Sequence, residues 1–279
     1  MKRILASIMI AIIMFMICAC DKADTKPDAQ NNSKPTTSDN INKSELNTEE
    51  NTETTTESMT EAATEAETPS GHSKYYIEGV SVDDIITYFS EVCLDAEYTY
   101  SGDATLVQKW TVPIRYTIHG DYTNEDMNVL NSFVSWLNTI ESFPGIGPAA
   151  SIGETNLDIH FCDEQGMLEI MGDDITEILD GRVTFWYDGN NSIYSATICY
   201  RTDIEQYTRN SVILEEIYNG LGPLQDTEIR TDSIIYSYFT TPQELTEIDK
   251  LILKLLYHPD IKCGMNKEQC ETVIRSLYY

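Results

Sequence analysis

From about residue 81 onward, apolar positions recur with two different periods. In "SVDDIITYFSEVCLDAEY" (81–98), Ile85, Phe89 and Val92 share one face at helical spacing, and Ser81 stands at the N-cap position. "TNEDMNVLNSFVSWLNTIESF" (123–143) repeats the pattern with Met127, Leu130, Val134 and Leu137, capped by Thr123 with Asp126 three residues on. Between these helices, "KWTVPIRYTIHG" (109–120) is β-branched and aromatic and predicts a strand, with Pro113 marking an edge or a bulge. Three further strands are expected in "NLDIHFC", "RVTFWYD" and "SIYSATICY", the last two joined by the turn Asp188-Gly189-Asn190-Asn191. A helix then carries "ILEEIYNGLGPLQD" (213–226), and irregular chain runs to Thr240. "TPQELTEIDKLILKLLYHP" predicts a helix capped by Thr241 with Pro242 at its first position, and a short last helix starts near Asn266. Mixed helices and strands followed mostly by helix define an α+β domain over 74–279.

The N-terminal quarter follows neither period. "MKRILASIMIAIIMFMICAC" (1–20) has a basic start and an apolar run too short to span a bilayer comfortably, so it reads as a signal peptide. Its end resembles a bacterial lipobox. Cys20, preceded by Ala19, is the expected lipid acceptor, since Cys18 follows the bulky Ile17; ordinary cleavage nearby is the alternative. Residues 21–73 are Thr, Glu, Asn, Ser and Pro with almost no aromatic side chains, a composition expected to stay disordered as a tether or a glycosylated stalk. The expected location is the extracytoplasmic face of a membrane, held there by the lipid.

Charge narrows the partners. The chain has 46 acidic and 18 basic residues and a net charge of −28, a surface that repels nucleic acid. Beyond Cys20 there are five cysteines: Cys93, Cys162, Cys199, Cys263 and Cys270. None has zinc-site spacing; Cys263 and Cys270 bracket a glycine turn and are the expected disulfide, with buried free thiols as the alternative for the rest. Trp110, Trp136 and Trp186 are expected in the core, and the tyrosines, Tyr75, Tyr76, Tyr98 and Tyr100 among them, as half-buried strand and loop residues.

Chemistry concentrates in residues 213–226. The stretch has the frame H-E-x-x-H-x-x-G-x-x-H with the glycine as Gly222 and the glutamate as Glu216, but Glu215, Asn219 and Gln225 stand at the histidine positions. Glu215 and Asn219 lie one turn apart on one face, and the plain alternative is that they form the solvated side of an amphipathic helix. Downstream, Asp226, Ser233-Ile234, Leu245-Thr246, Asp249 and Leu256-Tyr257 resemble the metzincin proteases of the matrix-metalloprotease kind, with Ile235 in place of the methionine of their Met-turn. From about residue 80 to the end the chain resembles more closely a bacterial family of lipoproteins known as domain of unknown function 2927. It shares that family's tryptophan-led strand, a Glu-Glu helix ending in Leu-Gly, and "LYHPDIKCGM"-like wording.

These resemblances imply a metzincin-like mixed sheet with an active-site-type helix and C-terminal helices. One carboxylate and two amides are a poor zinc set, so no metal and no cofactor is expected, and Glu216 alone is not expected to be catalytic. Glu215, Asn219, Gln225 and Asp226 are the candidate lining of a shallow binding cleft, with Gln225 turned back onto the other two. The expected function is a non-catalytic binding module for an envelope peptide, protein or glycan. The alternatives are a metallohydrolase or peptidase with a non-standard metal site around Glu215 and Glu216, helped by a side chain such as His160, and a structural envelope protein.

Overall fold

The computed structural model describes residues 73–94, 105–172 and 179–278. The signal peptide, Cys20, nearly all of the tether, Tyr98 and Tyr100 lie outside them. No helix among the described residues is long and apolar enough to cross a membrane.

Six strands form one mixed sheet: β1 (Lys109–Trp110), β2 (Ile114–Gly120), β3 (Ile146–Pro148), β4 (Leu157–Cys162), β5 (Gly181–Tyr187) and β6 (Ser192–Arg201). The order is β1-β6-β4-β2-β3, all pairs parallel, with β5 added antiparallel to β6. The β5–β6 hairpin closes as expected: the Asp188 carboxylate accepts from the N–H groups of Asn190 and Ser192, and Asn191 takes φ 61°. Pro113 corrects the single-strand expectation. It sits in a break between β1 and β2, and β2 is an interior strand between β3 and β4, where a residue without an N–H would leave the ladder incomplete.

The helices are α1 (Val82–Leu94), α2 (Asn124–Leu137), α3 (Glu164–Met171), α4 (Gln206–Gly220), α5 (Glu247–Leu256) and α6 (Lys267–Tyr278). Their starts are fixed by side chains. Thr123 and Asp126 make a reciprocal capping box on α2, and Ser81 and Asp84 do the same for α1. The helix expected from Thr241 begins instead at Glu247. Thr246 is its cap because Asp249, three residues on, returns the bond, whereas Thr241 has no such partner. The short β3 and α3 were not expected, being too brief for a hydrophobic period to register.

One face of the sheet carries the main core. Ile159, Phe161, Ile198 and Tyr200 point toward α4, whose Ile213 carbonyl accepts from the Tyr200 hydroxyl at 3.2 Å. Trp110 is buried there, with Nε1 donating to Gly220 O, while Trp136 and Trp186 are only half-buried at the margins. On the opposite face, α3 covers one end through Met167 against Leu179 and Cys199. Beyond α3, that face presents the half-buried alternates of β2, β4 and β6. All five cysteines from Cys93 to Cys270 are free thiols. The Cys263–Cys270 pairing is therefore not made: Cys263 donates to Lys109 O at 3.6 Å, and Cys270 is buried in electrostatic contact with Cys93.

Candidate functional site

Helix α4 is not amphipathic. Every residue from Arg209 to Gly220 is buried, so Glu215, Glu216 and Asn219 lie inside the protein and not on a solvated face. Both ends are anchored. At its start, Arg209 Nε donates to Asp126 Oδ1 at 2.8 Å, joining α4 to the first turn of α2. Burial opposes ionisation of Asp126, but bonds from Arg209, Thr123 and Gln206 outweigh it and hold its carboxyl below the ordinary range. At the C-terminal end, Trp110 and Tyr257 donate to the carbonyls of Gly220 and Leu221, which the helix itself leaves open.

Two glycines set how closely the chain packs here. A Cβ at Gly181 on β5 would lie 2.4 Å from Val212 Cγ1 and 2.7 Å from Glu216 Cγ, so only glycine lets this strand lie against α4. Gly222 has φ +129°, and a Cβ there would meet Gln108 O at 2.3 Å. The turn expected after α4 therefore exists. After it, Gln225 is half-buried, its N–H directed to Val92 O. No hydrogen bond joins Glu215, Asn219 and Gln225 to one another among the described residues, and Glu215 Oε1 and Asn219 Oδ1 are buried without a partner. Of the expected cleft lining, Glu215 and Asn219 thus lie in an acid-rich interior, while Gln225 and Asp226 are half-buried.

Asp226 is the neighbour that matters. Burial, then the charge of Asp226, then those of Glu216 and Asp180 drive the Glu215 carboxyl well above the usual range. Burial and Asp226 push Glu216 up to about 8, against the opposing pull of Arg182 and a hydrogen bond from the Val183 N–H. Both carboxyls are therefore pushed toward their neutral forms. Asp180 and Arg182, both on the β5 side of α4, belong to this electrostatic cluster and carried no signal in the sequence. Strand pairing places them, not spacing.

The downstream residues that carry the protease resemblance do assemble. Asp249 Oδ1 accepts from Ser233 Oγ at 2.7 Å and Tyr88 OH at 2.9 Å, and Oδ2 accepts from Ile234 N–H at 3.3 Å. The same carboxylate caps α5, and Tyr218 of α4 donates to the Asp249 carbonyl at 3.0 Å. One buried acid thus ties the Ser-Ile turn, α1, α4 and α5 together, a structural role.

His160 does not approach Glu215. It lies on the other face of the sheet, where its ring stacks on His119 of β2 with centroids 4.5 Å apart and planes 16° apart. His119 Nε2 is 2.9 Å from Asp158 Oδ1. Among the described residues, His119, Asp158 and His160 are the group whose donor atoms lie close enough together to hold a metal.

At the mouth of α4, a groove of about 560 Å³ is lined by Asp180, Asp203, Glu205, Gln206, Arg209 and the exposed Phe239, with Ile204 and Thr208. It lies beside the buried cluster, since Asp180 contributes to both.

The fold and site together define an α+β domain built on an acid-bearing helix that is buried from Arg209 to Gly220. Residues 82–276 match the family described as "Protein of unknown function (DUF2927)", and the chain belongs to that family. No curated protein was found to match it.

Proposed function

We propose that this chain is a lipid-anchored envelope protein whose zinc-less, metzincin-like domain binds a ligand and does not cleave it. The observation that carries the reading is the state of the motif helix. Positions that would need imidazoles hold a buried Glu215 and Asn219 and a half-buried Gln225. One carboxylate and two amide oxygens do not fit zinc, which takes imidazole, thiolate or carboxylate ligands. Burial and Asp226 push Glu216, at the general-base position, toward its neutral form, which is a poor acceptor for a proton from water. Metzincin ancestry is supported by the antiparallel strand β5 along β6, the passage from β6 directly into α4, the Gly222 turn and the Ser233-Ile234 turn held by Asp249. The groove at the mouth of α4, with Phe239 at its rim, is the surface assigned to an envelope peptide, protein or glycan. Membrane attachment rests on the "ICAC" sequence around Cys20.

One observation favours a second reading, a metallohydrolase: the unpartnered Glu215 Oε1 and Asn219 Oδ1 are oxygen donors of the kind hard cations use. Metal analysis and peptide hydrolysis separate the two. The His119→Gln/His160→Gln variant serves as background, so that metal on the opposite face is not counted. No retained metal and no hydrolysis are expected. One equivalent of metal lost on Glu215→Ala, or hydrolysis abolished by Glu216→Gln, favours the enzyme. Cys20→Ser is expected to abolish labelling of cells by a fatty-acid analogue, and equal labelling of both forms overturns the anchor. Binding of soluble cell-wall glycan fragments and peptides, weakened by Phe239→Ala, locates the ligand in the groove.

A further inference from the structure

We propose that His119, Asp158 and His160 form a surface site for a divalent first-row transition-metal ion, on the face of the sheet opposite α4. The site is built by strand register. β2 and β4 are parallel, with His119 opposite His160, and Asp158 precedes His160 by two residues, so all three side chains emerge on the same face. Strand alternation leaves that face half-exposed at all three positions: the His119 and Asp158 side chains are 39% and 46% exposed, so an ion from solvent reaches them. The exposed acidity of the chain, net −28, draws cations to it.

Two imidazoles and a carboxylate are a donor set that suits zinc, cobalt, nickel or copper and is poor for calcium or magnesium. Their donor atoms lie within 4.8 Å of one another. Two donors on one tetrahedral zinc stand about 3.3 Å apart, given bonds of about 2.0–2.1 Å, so side-chain torsions alone close the gap. A metal lies in the plane of each ring it binds. Binding therefore turns the imidazoles out of their near-parallel stack about the soft χ2 torsion, while the backbone register stays fixed. The ion replaces the proton that His119 Nε2 shares with Asp158 Oδ1. Three protein donors leave a fourth position open to water or to a ligand on this half-exposed part of the sheet face.

The test uses untagged full-length protein in detergent, titrated with Co(II) alone and read by visible d–d absorption and equilibrium dialysis. One equivalent is expected at micromolar metal, displaced by Zn(II), with histidine ring resonances at 119 and 160 shifting together on Zn(II) addition. His119→Gln and His160→Gln should each weaken binding at least tenfold, and Asp158→Asn by about 10-fold. Glu215→Gln should leave the affinity unchanged, which separates this site from the helix cluster. All three positions are half-exposed, so metal-free melting of the variants should match wild type. Failure of the wild type to bind at millimolar Co(II) overturns the proposal. So does undiminished binding by the His119→Gln/His160→Gln double variant, or a thiolate charge-transfer band in place of the imidazole signature.

Discussion

Glu216→Gln should make the protein more stable at pH 8 and leave it almost unchanged at pH 5. The Glu216 carboxyl is buried, and its pKa stands at about 8 in place of an ordinary 4.5. A carboxyl raised in the folded state keeps a proton that the unfolded chain has already released. Stability from this group is therefore fully present below about pH 4.5 and falls as pH rises toward 8. The gap of about 3.5 pH units, at about 1.36 kcal/mol per unit, sets a ceiling of about 5 kcal/mol. Glutamine has the shape of the protonated acid and keeps a carbonyl oxygen for the Val183 N–H, but it does not titrate. Urea unfolding followed by tryptophan fluorescence, at pH 5 and pH 8, should show the two proteins within about 1 kcal/mol at the lower pH. At the higher pH the variant should lead by about 2–5 kcal/mol. A variant less stable than wild type at pH 8 would refute the reasoning, because it would mean that Arg182 holds Glu216 ionised in the folded protein.

Other perturbations test the frame around the cluster. Arg209→Met strands the fully buried Asp126 and should cost about 3–5 kcal/mol in the same urea assay; a loss below 1 kcal/mol would show that the pair is not among the contacts that fix α4. Gly181→Ala drives a methyl into Val212 and Glu216 and should cost about 1–3 kcal/mol, seen as a lower calorimetric midpoint; an unchanged midpoint would mean that β5 moves aside freely. Native-state alkylation mapped by mass spectrometry should modify Cys162 before Cys93, Cys199, Cys263 or Cys270. Its contact with Cys199 lowers the Cys162 pKa and raises that of Cys199, while burial raises Cys93, Cys263 and Cys270, so earlier labelling of Cys270 would contradict the packing of α6.

The helices with local caps were legible because a cap and a stripe lie within one stretch of chain. Thr123 and Asp126 announce α2, and Asn266 announces α6, where the structure shows it exchanging hydrogen bonds with Gln269. The longer strands of the sheet were legible from alternation, though not the short β3, the break at Pro113 or the strand order. Pairing Leu157 with Ala196 and Tyr116 requires residues some forty positions apart to meet, and no local pattern encodes that. The same limit hid the His119–Asp158–His160 group and the Arg182 and Asp180 neighbours of Glu216. Burial of α4 was misread for a different reason. Glu215 and Asn219 at helical spacing also fit a solvent face, and only tertiary packing, including that of β5 at Gly181 against Val212 and Glu216, shows the helix to be buried. Gln225 was expected to turn back because Gly222 permits it; the turn at Gly222 exists, with φ +129°.

The two ends of the folded domain are tied to each other. Ser73 Oγ donates to Leu277 O, Tyr278 OH to Val80 O, and Arg275 reaches Asp83 of α1. A pull on the chain before Ser73 is therefore borne first by the α1–α6 seam, a few side-chain bonds that can break in succession. The sheet, with its ladders of parallel backbone bonds, is loaded only after that seam has opened. In mechanical terms the domain has a soft handle and a stiff body. Tension at its N-terminal side would loosen α1, and with it the Val92 carbonyl that holds Leu224 and Gln225, before it disturbed a single strand.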